Sequence, residues 1–539
     1  MKANITKTCR ELVSMALGTE ITDSIPWQQF GDAVVTGLCY DSRLASPASI
    51  FFCLVGARAD GHTYAPAAYR TGCRLFVVER ILDLPQDCLQ ILVPNTRTAL
   101  ADCAAAFYDH PERHLRLVGI TGTKGKTTTA ILLRAILEEG GIPTGYIGTN
   151  GVEFADEHYD TLNSTPESLE IYRYLRLMVD SGIRACVMEV SSQALWMGRV
   201  RGLTFEATAF LNLSRDHIGG AEHPDMAHYK ASKQRLFSHH TGRMAIFNAD
   251  DPCAADMASA TMNRSAEGNT EPLCLTFSTN EPALAGHCTE QGEMPLPPPC
   301  HTASEIRADR HGAAIGTSFI CDGVDRTPAD RWFLPLPGDF NVQNALAALT
   351  VAHECFGVPI PRVRHALANA TVPGRFETVI HEGAPGTVFV IDYAHNGASL
   401  TAILDALRDY QPNRLIALFG SVGGRTFERR RDLAMAAGPR CDLCILTADN
   451  PASEPVENIL AEIDAAFPPD SCPRVHEPDR ACAIRLAVDL AQPGDMILLA
   501  GKGHEDYQLI GTQRVPFSDG EILRAALEEK ARDSEELPI

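Results

Sequence analysis

The segment Leu115–Thr128, LRLVGITGTKGKTT, restricts the possible folds of this chain more than any other. An apolar run ends at Ile120, Gly122 and Gly125 follow, and a helical pattern then extends from Thr127 to Glu139. This order predicts a buried strand, a tight turn and a helix that packs back onto the sheet. The glycines let backbone amides turn inward, and the helix N-terminus adds partial positive charge, so the turn suits a phosphate group. Lys126 supplies a full charge, and Thr127 a hydroxyl of the kind that a phosphate-bound Mg²⁺ accepts. The spacing is tighter than GxxxxGK[ST], because the residue five before Gly125 is Ile120, so a plain structural turn stays open as an alternative.

The pattern recurs. Apolar runs ending in polar or glycine-rich residues lie at Leu115–Ile120, Ala185–Met188, Ala207–Leu211 and Met244–Phe247, and a second series lies at Thr387–Ile391, Leu415–Phe419, Leu443–Leu446 and Met496–Ala500. Helix-like stretches such as Asp432–Ala437 lie between them. Alternating strands and helices predict α/β domains with parallel sheets covered on both faces, whose ligands gather at the carboxyl ends of the strands. Composition shifts at Asp109–Pro111 and at Val372–Gly374 divide the chain into residues 1–111, 112–371 and 372–539. The Pro-, Ser- and Thr-rich segment 259–301 is expected to be a long surface excursion.

The 539 residues, 45% hydrophobic and 21% charged, suffice for several separate cores. A formal net charge of −21 argues against wrapping nucleic acid, which needs clustered Lys and Arg. The seventeen cysteines are scattered, without histidine partners at zinc-finger spacing, and read as small apolar residues of a reducing compartment. The N-terminus lacks a leader pattern and no apolar run is long enough to span a bilayer, so a cytoplasmic protein is expected, with a monomer as the default.

Further motifs follow the apolar runs: MEVSS with Glu189, Ser191 and Ser192; NLSRDH ending at His217; HYKASK ending at Lys233; then GDFNVQN, PGRFE, DYAHN, DNP and GKGHEDYQ. The N-terminal region carries YDSR, from Tyr40 to Arg43, and the loop from Gly56 to Gly61. With TGTKGKTT, this set resembles the Mur ligase family, and in particular its members that add the third residue of the peptidoglycan stem peptide to UDP-N-acetylmuramoyl-L-alanyl-D-glutamate. The matching motifs span all three expected domains.

The resemblance implies an N-terminal UDP-substrate-binding domain, a central P-loop ATPase-like parallel sheet and a C-terminal Rossmann-like domain that binds the amino acid. The substrates it implies are ATP with Mg²⁺, the UDP-N-acetylmuramoyl-dipeptide and an amino acid. Gly122, Thr123, Lys124, Gly125, Lys126, Thr127 and Thr128 would hold the ATP phosphates. Asn341 and Asn344 would border the adenine, with Arg375 near the γ-phosphate and Asp392 near the ribose. Thr127 and Glu189 would bind one Mg²⁺ and His217 a second, and Lys233 would be carbamylated to hold metal. Ser42 and Arg43 would bind the UDP part. Asn163, Ser164, Thr165, Ser191 and Arg199 would bind the muramoyl-dipeptide, and Asp449, Asn450, Gly501 and Glu505 the amino acid.

From the residues alone, Lys233 reads as an exposed helix position; the alternative to a functional role is a helix cap for Asp392 and a salt-bridged core acid for Glu189. Members of the family that add meso-diaminopimelate usually read DNPR, whose Arg pairs with the distal carboxylate; here Ala452 occupies that position. The expected substrate is therefore L-lysine or ornithine. Lys124, Gln193, Asn396 and the Ile218–Gly220 turn also depart from the family pattern. The rival readings are folylpolyglutamate synthase, which shares the phosphate loop but not YDSR or GKGHE, and a non-catalytic nucleotide-binding relative.

Overall fold

The computed structural model describes residues 5–56, 59–215, 218–219, 222–262, 271–280, 296–311, 314–322, 331–424 and 427–536. Its contacts divide the chain into two compact units, residues 1–302 with 343–363, and residues 303–342 with 364–539.

The first unit holds two sheets built mainly of parallel strands, besides the short antiparallel pair Lys7–Thr8 and Val34–Val35. The N-terminal one has four strands in sequence order, Gly37–Cys39, Ser49–Phe52, Leu75–Val78 and Leu89–Leu92. Side chains alternate across a strand, so Ile50 and Phe52 pack with Leu12, Leu100 and Phe107 on one face. Phe51, Phe76 and Val78 pack with Ala65 and Ala68 on the other. The two central strands, Ser49–Phe52 and Leu75–Val78, are buried on both faces, which is why they are almost wholly apolar.

In the second sheet the parallel strands run Thr144–Gly148, Ala185–Glu189, Arg116–Thr121, Phe205–Phe210, Thr241–Asn248 and Leu273–Ser278 across the sheet. The first of these in sequence, Arg116–Thr121, lies inside the sheet, and the chain winds to both sides of it. That strand is a topological switch point, where the loops leaving neighbouring strands diverge and open a crevice. The expected runs became strands with shifts of a few residues at their ends, and the expected helix is Lys126–Glu139.

Residues 259–301 were expected to be only an excursion, but Leu273–Ser278 within them joins the sheet beside Thr241–Asn248. Its β-branched and aromatic content was masked by the Pro- and Ser-rich flanks. Residues 263–270 and 281–295 lie outside the described residues.

The second unit contains a sheet ordered Glu377–Val379, Val388–Asp392, Met496–Ala500, Leu415–Phe419, Leu443–Leu446 and Arg474–His476. All pairings but the first are parallel. Met496–Ala500, the last of these strands in sequence, inserts beside Val388–Asp392, so the ends bearing Asp392 and Gly501 are neighbours: the Gly501 amide donates to the Asp392 carbonyl at 3.0 Å. This unit also pairs Ala314–Asp322 antiparallel with Arg331–Leu334.

Most cysteines are buried, and the described ones are free thiols. Cys441 and Cys444, however, form a CxxC pair that the reading of the cysteines as scattered missed, and Cys472 Sγ lies 3.5 Å from Cys444 Sγ. Among the described residues no helix is long and apolar enough to cross a membrane.

Candidate active site

The phosphate loop leaves Arg116–Thr121 at the switch point. Gly125 has φ 85°, and a Cβ there would collide with Asn344 Oδ1, so the position accepts only glycine. No side chain caps the following helix, which leaves its first-turn amides available to an anion. Asn212, just beyond Phe205–Phe210, clamps the loop: its Oδ1 accepts from the Lys124 amide at 2.9 Å and its Nδ2 donates to the Lys124 carbonyl at 3.2 Å. Lys126 Nζ donates to the Gly122 and Thr123 carbonyls at 2.9 and 3.0 Å.

Lys233 is not the exposed helix residue that the sequence alone suggests. It is 1% exposed, its Nζ donates to the same Gly122 carbonyl at 2.9 Å, and it sits 4.6 Å above the Tyr229 ring. Two ammonium groups therefore converge on one carbonyl oxygen.

Glu189 ends its strand fully buried. Its Oε1 accepts from the Tyr146 hydroxyl at 2.6 Å and the Thr149 amide at 2.9 Å, and its Oε2 from the Thr149 hydroxyl at 3.1 Å. Among the described residues its hydrogen-bond donors are neutral, so the salt-bridged core acid is not what the fold builds. A buried carboxylate held by neutral donors next to a phosphate loop fits a hard divalent cation, since it offers oxygen ligands of the kind that Mg²⁺ prefers. A Cβ on Gly148 would collide with the Tyr146 hydroxyl and Glu189 Oε1, so this carboxylate also depends on a glycine. The sequence reading missed Tyr146, Gly148 and Thr149, because they lie on a neighbouring strand and the turn just after it, without a motif.

His217 lies outside the described residues. His223, six residues on, is 1% exposed and shares hydrogen bonds with Ser192 Oγ at 2.9 Å and with His228 Nδ1 at 2.8 Å.

Thr165 and Ser191 form one unit: the Thr165 hydroxyl accepts from the Ser191 amide at 3.0 Å and donates to the Glu189 carbonyl at 2.9 Å. Arg199 is buried, and its Nη1 donates to the Thr165 carbonyl at 3.1 Å. Its Nε pairs with Glu167 at 3.0 Å, and Arg97 of the N-terminal sheet's helix takes the other Glu167 oxygen at 2.6 Å. Two guanidinium groups around one carboxylate leave a net positive group suited to an anionic substrate. A cleft of about 400 Å³ opens here, lined by Arg97, Thr98, Gln193, Trp196 and Met197. Asn163 is exposed and Ser164 half-buried. Ser42 is half-buried as well, and Arg43, 86% exposed, is held by Asp41.

In the second unit, burial pushes the Asp392 carboxyl up, opposed by Arg375 and by the Phe376 and Ala394 amides. Arg375 stacks 4.5 Å from the Tyr393 ring. Asn341, 4% exposed, donates to the Pro337 carbonyl at 2.8 Å, whereas Asn344 belongs to the first unit and accepts from the Thr129 hydroxyl at 3.3 Å.

Asp449, Asn450, Gly501 and Glu505 come together. Asn450 Nδ2 donates to Glu505 Oε2 at 2.9 Å, and Lys502, fully buried, bridges Asn450 Oδ1 at 3.2 Å and Glu505 Oε2 at 2.8 Å. Lys502 stands within GKGHE, yet no role was read for it. Asp449 Oδ1 is buried without a hydrogen-bond partner, and burial pushes this carboxyl up against the pull of Arg480 and Lys502. An orphaned carboxylate oxygen at a strand end suits an ammonium group.

A phosphate loop at one switch point with a buried acid beside it, and an acid cluster with an orphaned carboxylate oxygen at the strand ends of another parallel sheet, are features of an enzyme with nucleotide-binding α/β domains. The Mur ligase middle domain matches residues 120–352, the Mur ligase glutamate ligase domain residues 374–503, and the Mur ligase family catalytic domain residues 34–108. A UDP-N-acetylmuramoyl-L-alanyl-D-glutamate–2,6-diaminopimelate ligase of Caldanaerobacter subterraneus subsp. tengcongensis is 37% identical, over 92% of this chain and 96% of its own. One of the same name from Geobacillus thermodenitrificans is 36% identical, over 93% and 96%. A solved structure of a ligase of that name superposes with a TM-score of 0.62 at 27% identity, over 93% of this chain and 96% of its own. The chain belongs to the Mur ligase family, with that family's three-domain α/β architecture. It is an ATP-dependent acid–amino-acid ligase.

Proposed function

We propose that this ligase joins a diamino acid to the D-glutamyl carboxylate of UDP-N-acetylmuramoyl-L-alanyl-D-glutamate, the third-residue step of peptidoglycan precursor synthesis. The observation that carries the reading is a phosphate loop at a switch point with buried Glu189 beside it; within the second unit, Asp449 separately carries an orphaned carboxylate oxygen. A free carboxylate would have to expel oxide to form an amide. Phosphorylation by ATP instead gives an acyl phosphate, which the amine attacks with phosphate leaving.

In this mechanism Lys126 and the loop amides hold the ATP phosphates, and Thr127 and Glu189 hold Mg²⁺, which supplies electrostatic relief for the crowded oxygens. His217 serves a second Mg²⁺. Lys233 is carbamylated; the modification removes one of the two ammonium charges that meet at the Gly122 carbonyl and adds metal-binding oxygens. Arg199, oriented by Glu167, binds the dipeptide with Asn163, Ser164, Thr165 and Ser191. Ser42 and Arg43 bind the UDP part, and Arg375 and Asp392 bind nucleotide. Asp449, Asn450, Gly501 and Glu505 hold the amino acid. The three domains divide at about residues 111 and 371, consistent with the spans of the three family matches.

The amino acid is L-lysine or ornithine. Ala452 carries no charge for a distal carboxylate, and Lys502 is already engaged by Asn450 and Glu505. The names of the curated relatives favour a second reading, 2,6-diaminopimelate. Phosphate release from ATP, Mg²⁺ and the UDP-muramoyl-dipeptide, measured with each amino acid in turn, separates them. Preference for diaminopimelate overturns the first choice, and no turnover with any amino acid overturns the ligase assignment.

A further inference from the structure

Away from the phosphate loop, three side chains of different chemistry converge in the first unit. His301 begins the strand His301–His311, whose first residues pair with Phe277 and Ser278, and Cys300 immediately precedes it. Glu354 lies in the turn Val351–Cys355 that ends the helix bearing Asn344. One ligand atom from each of Cys300, His301 and Glu354 lies within 4.8 Å of the other two.

We infer that Cys300, His301 and Glu354 form a binding site for a zinc-class divalent cation, separate from the Mg²⁺ chemistry of the phosphate loop. A thiolate, an imidazole and a carboxylate form a donor set that selects Zn²⁺ over Mg²⁺, which prefers oxygen. Around Zn²⁺, with bonds of about 2.0–2.3 Å, such atoms lie under about 4 Å apart, so the present spacing needs a contraction of about 1 Å.

Within the cluster, His301 is 1% exposed and its Nε2 meets Glu354 Oε1 at 3.0 Å, close to the spacing of two ligands on one Zn²⁺, so an ion held by Nε2, this carboxylate and the thiolate would take the place of the hydrogen bond. Burial keeps His301 neutral, the form that binds metal. The Cys300 thiol, pushed up to about 11 by burial and by Glu354, now donates to the Thr276 carbonyl at 3.1 Å and would release its proton on binding. Cys300 and Glu354 are half-buried, which gives an ion a way in. The bland alternative is a hydrogen-bonded His–Glu pair beside an inert thiol. The bound ion would tie the start of this strand to the far end of the helix whose Asn344 abuts the phosphate loop.

Co²⁺ reports this site spectroscopically, because a thiolate ligand gives a charge-transfer band in the near ultraviolet that oxygen ligands do not. The full-length enzyme, stripped with chelator and saturated with Mg²⁺, is titrated with Co²⁺ alone. One equivalent is expected to produce the band, Cys300→Ser to abolish it, and Glu354→Gln to weaken Co²⁺ affinity at least tenfold while the thiol remains. Absence of the band in the unaltered enzyme overturns the inference. So does a band that survives in Cys300→Ser, which would instead implicate a cluster such as Cys441 and Cys444. Circular dichroism and ADP release confirm that each variant is folded.

Discussion

Arg480 offers a demanding test of how the amino-acid cluster is supported. Both Arg480 and Asp519 have fully buried side chains, paired through Nε to Oδ1 at 2.8 Å and Nη2 to Oδ2 at 2.7 Å. The guanidinium also donates to the Ala448 and Ala500 carbonyls at 3.2 and 2.9 Å, the residues immediately before Asp449 and Gly501. Arg480→Met leaves Asp519 as an uncompensated buried charge, a loss of about 3–5 kcal/mol. Each abandoned carbonyl adds about 1 kcal/mol. The total, about 5–7 kcal/mol, is comparable to a whole domain's stability of about 5–15 kcal/mol. Asp519→Leu alone should cost a similar amount, whereas the double variant, with no buried charge, should recover to within about 2 kcal/mol of the parent. Urea unfolding followed by hydrogen exchange of the strand amides at Leu443–Leu446 and Met496–Ala500 reads this out, because a chain of several domains has no single two-state transition. At a temperature where Arg480→Met stays folded, KM for the amino acid should rise more than KM for ATP. A single-variant loss below about 1 kcal/mol, or a double variant no better than either single, would refute the reasoning.

Four further outcomes are expected. Lys126→Ala should abolish turnover, and near-normal ADP release would remove the assignment of the phosphate loop. Gly148→Ala should displace the Glu189 carboxylate and lower kcat at least tenfold while leaving thermal stability within a few degrees, checked by initial rates and calorimetry. Asp449 carries a raised folded-state pKa, so the folded state holds its proton more tightly and stability falls as pH rises from the ordinary carboxylate range through the raised value. Asp449→Asn should therefore be more stable than the parent at pH 7, lose that pH dependence and lose activity; an unchanged unfolding midpoint would contradict the burial argument. Ala452→Arg, at a backbone with φ 52° that Ala already tolerates, should shift kcat/KM toward meso-diaminopimelate over L-lysine by about tenfold or more. An unchanged ratio would place side-chain recognition elsewhere.

The phosphate loop and the strands around it were legible in the sequence because their signals are local. Leu415–Phe419, Leu443–Leu446 and Met496–Ala500 appear in the structure with the bounds read from the apolar runs. Leu273–Ser278 was missed because its neighbours dominate the composition. Lys233 was misread without the family, since a helical lysine's burial depends on what packs over it, here Tyr229 and the loop carbonyl.

The sequence by itself determined the α/β alternation, the phosphate loop and the motif set, all of which depend on residue type and spacing along the chain. Only the tertiary structure decided that Tyr146 and Thr149 hold Glu189, that Glu167 joins Arg97 to Arg199, and that Lys502 is used up between Asn450 and Glu505. Most of these contacts join residues far apart in sequence, and sheet order and burial, not local propensity, fix which polar groups must satisfy one another.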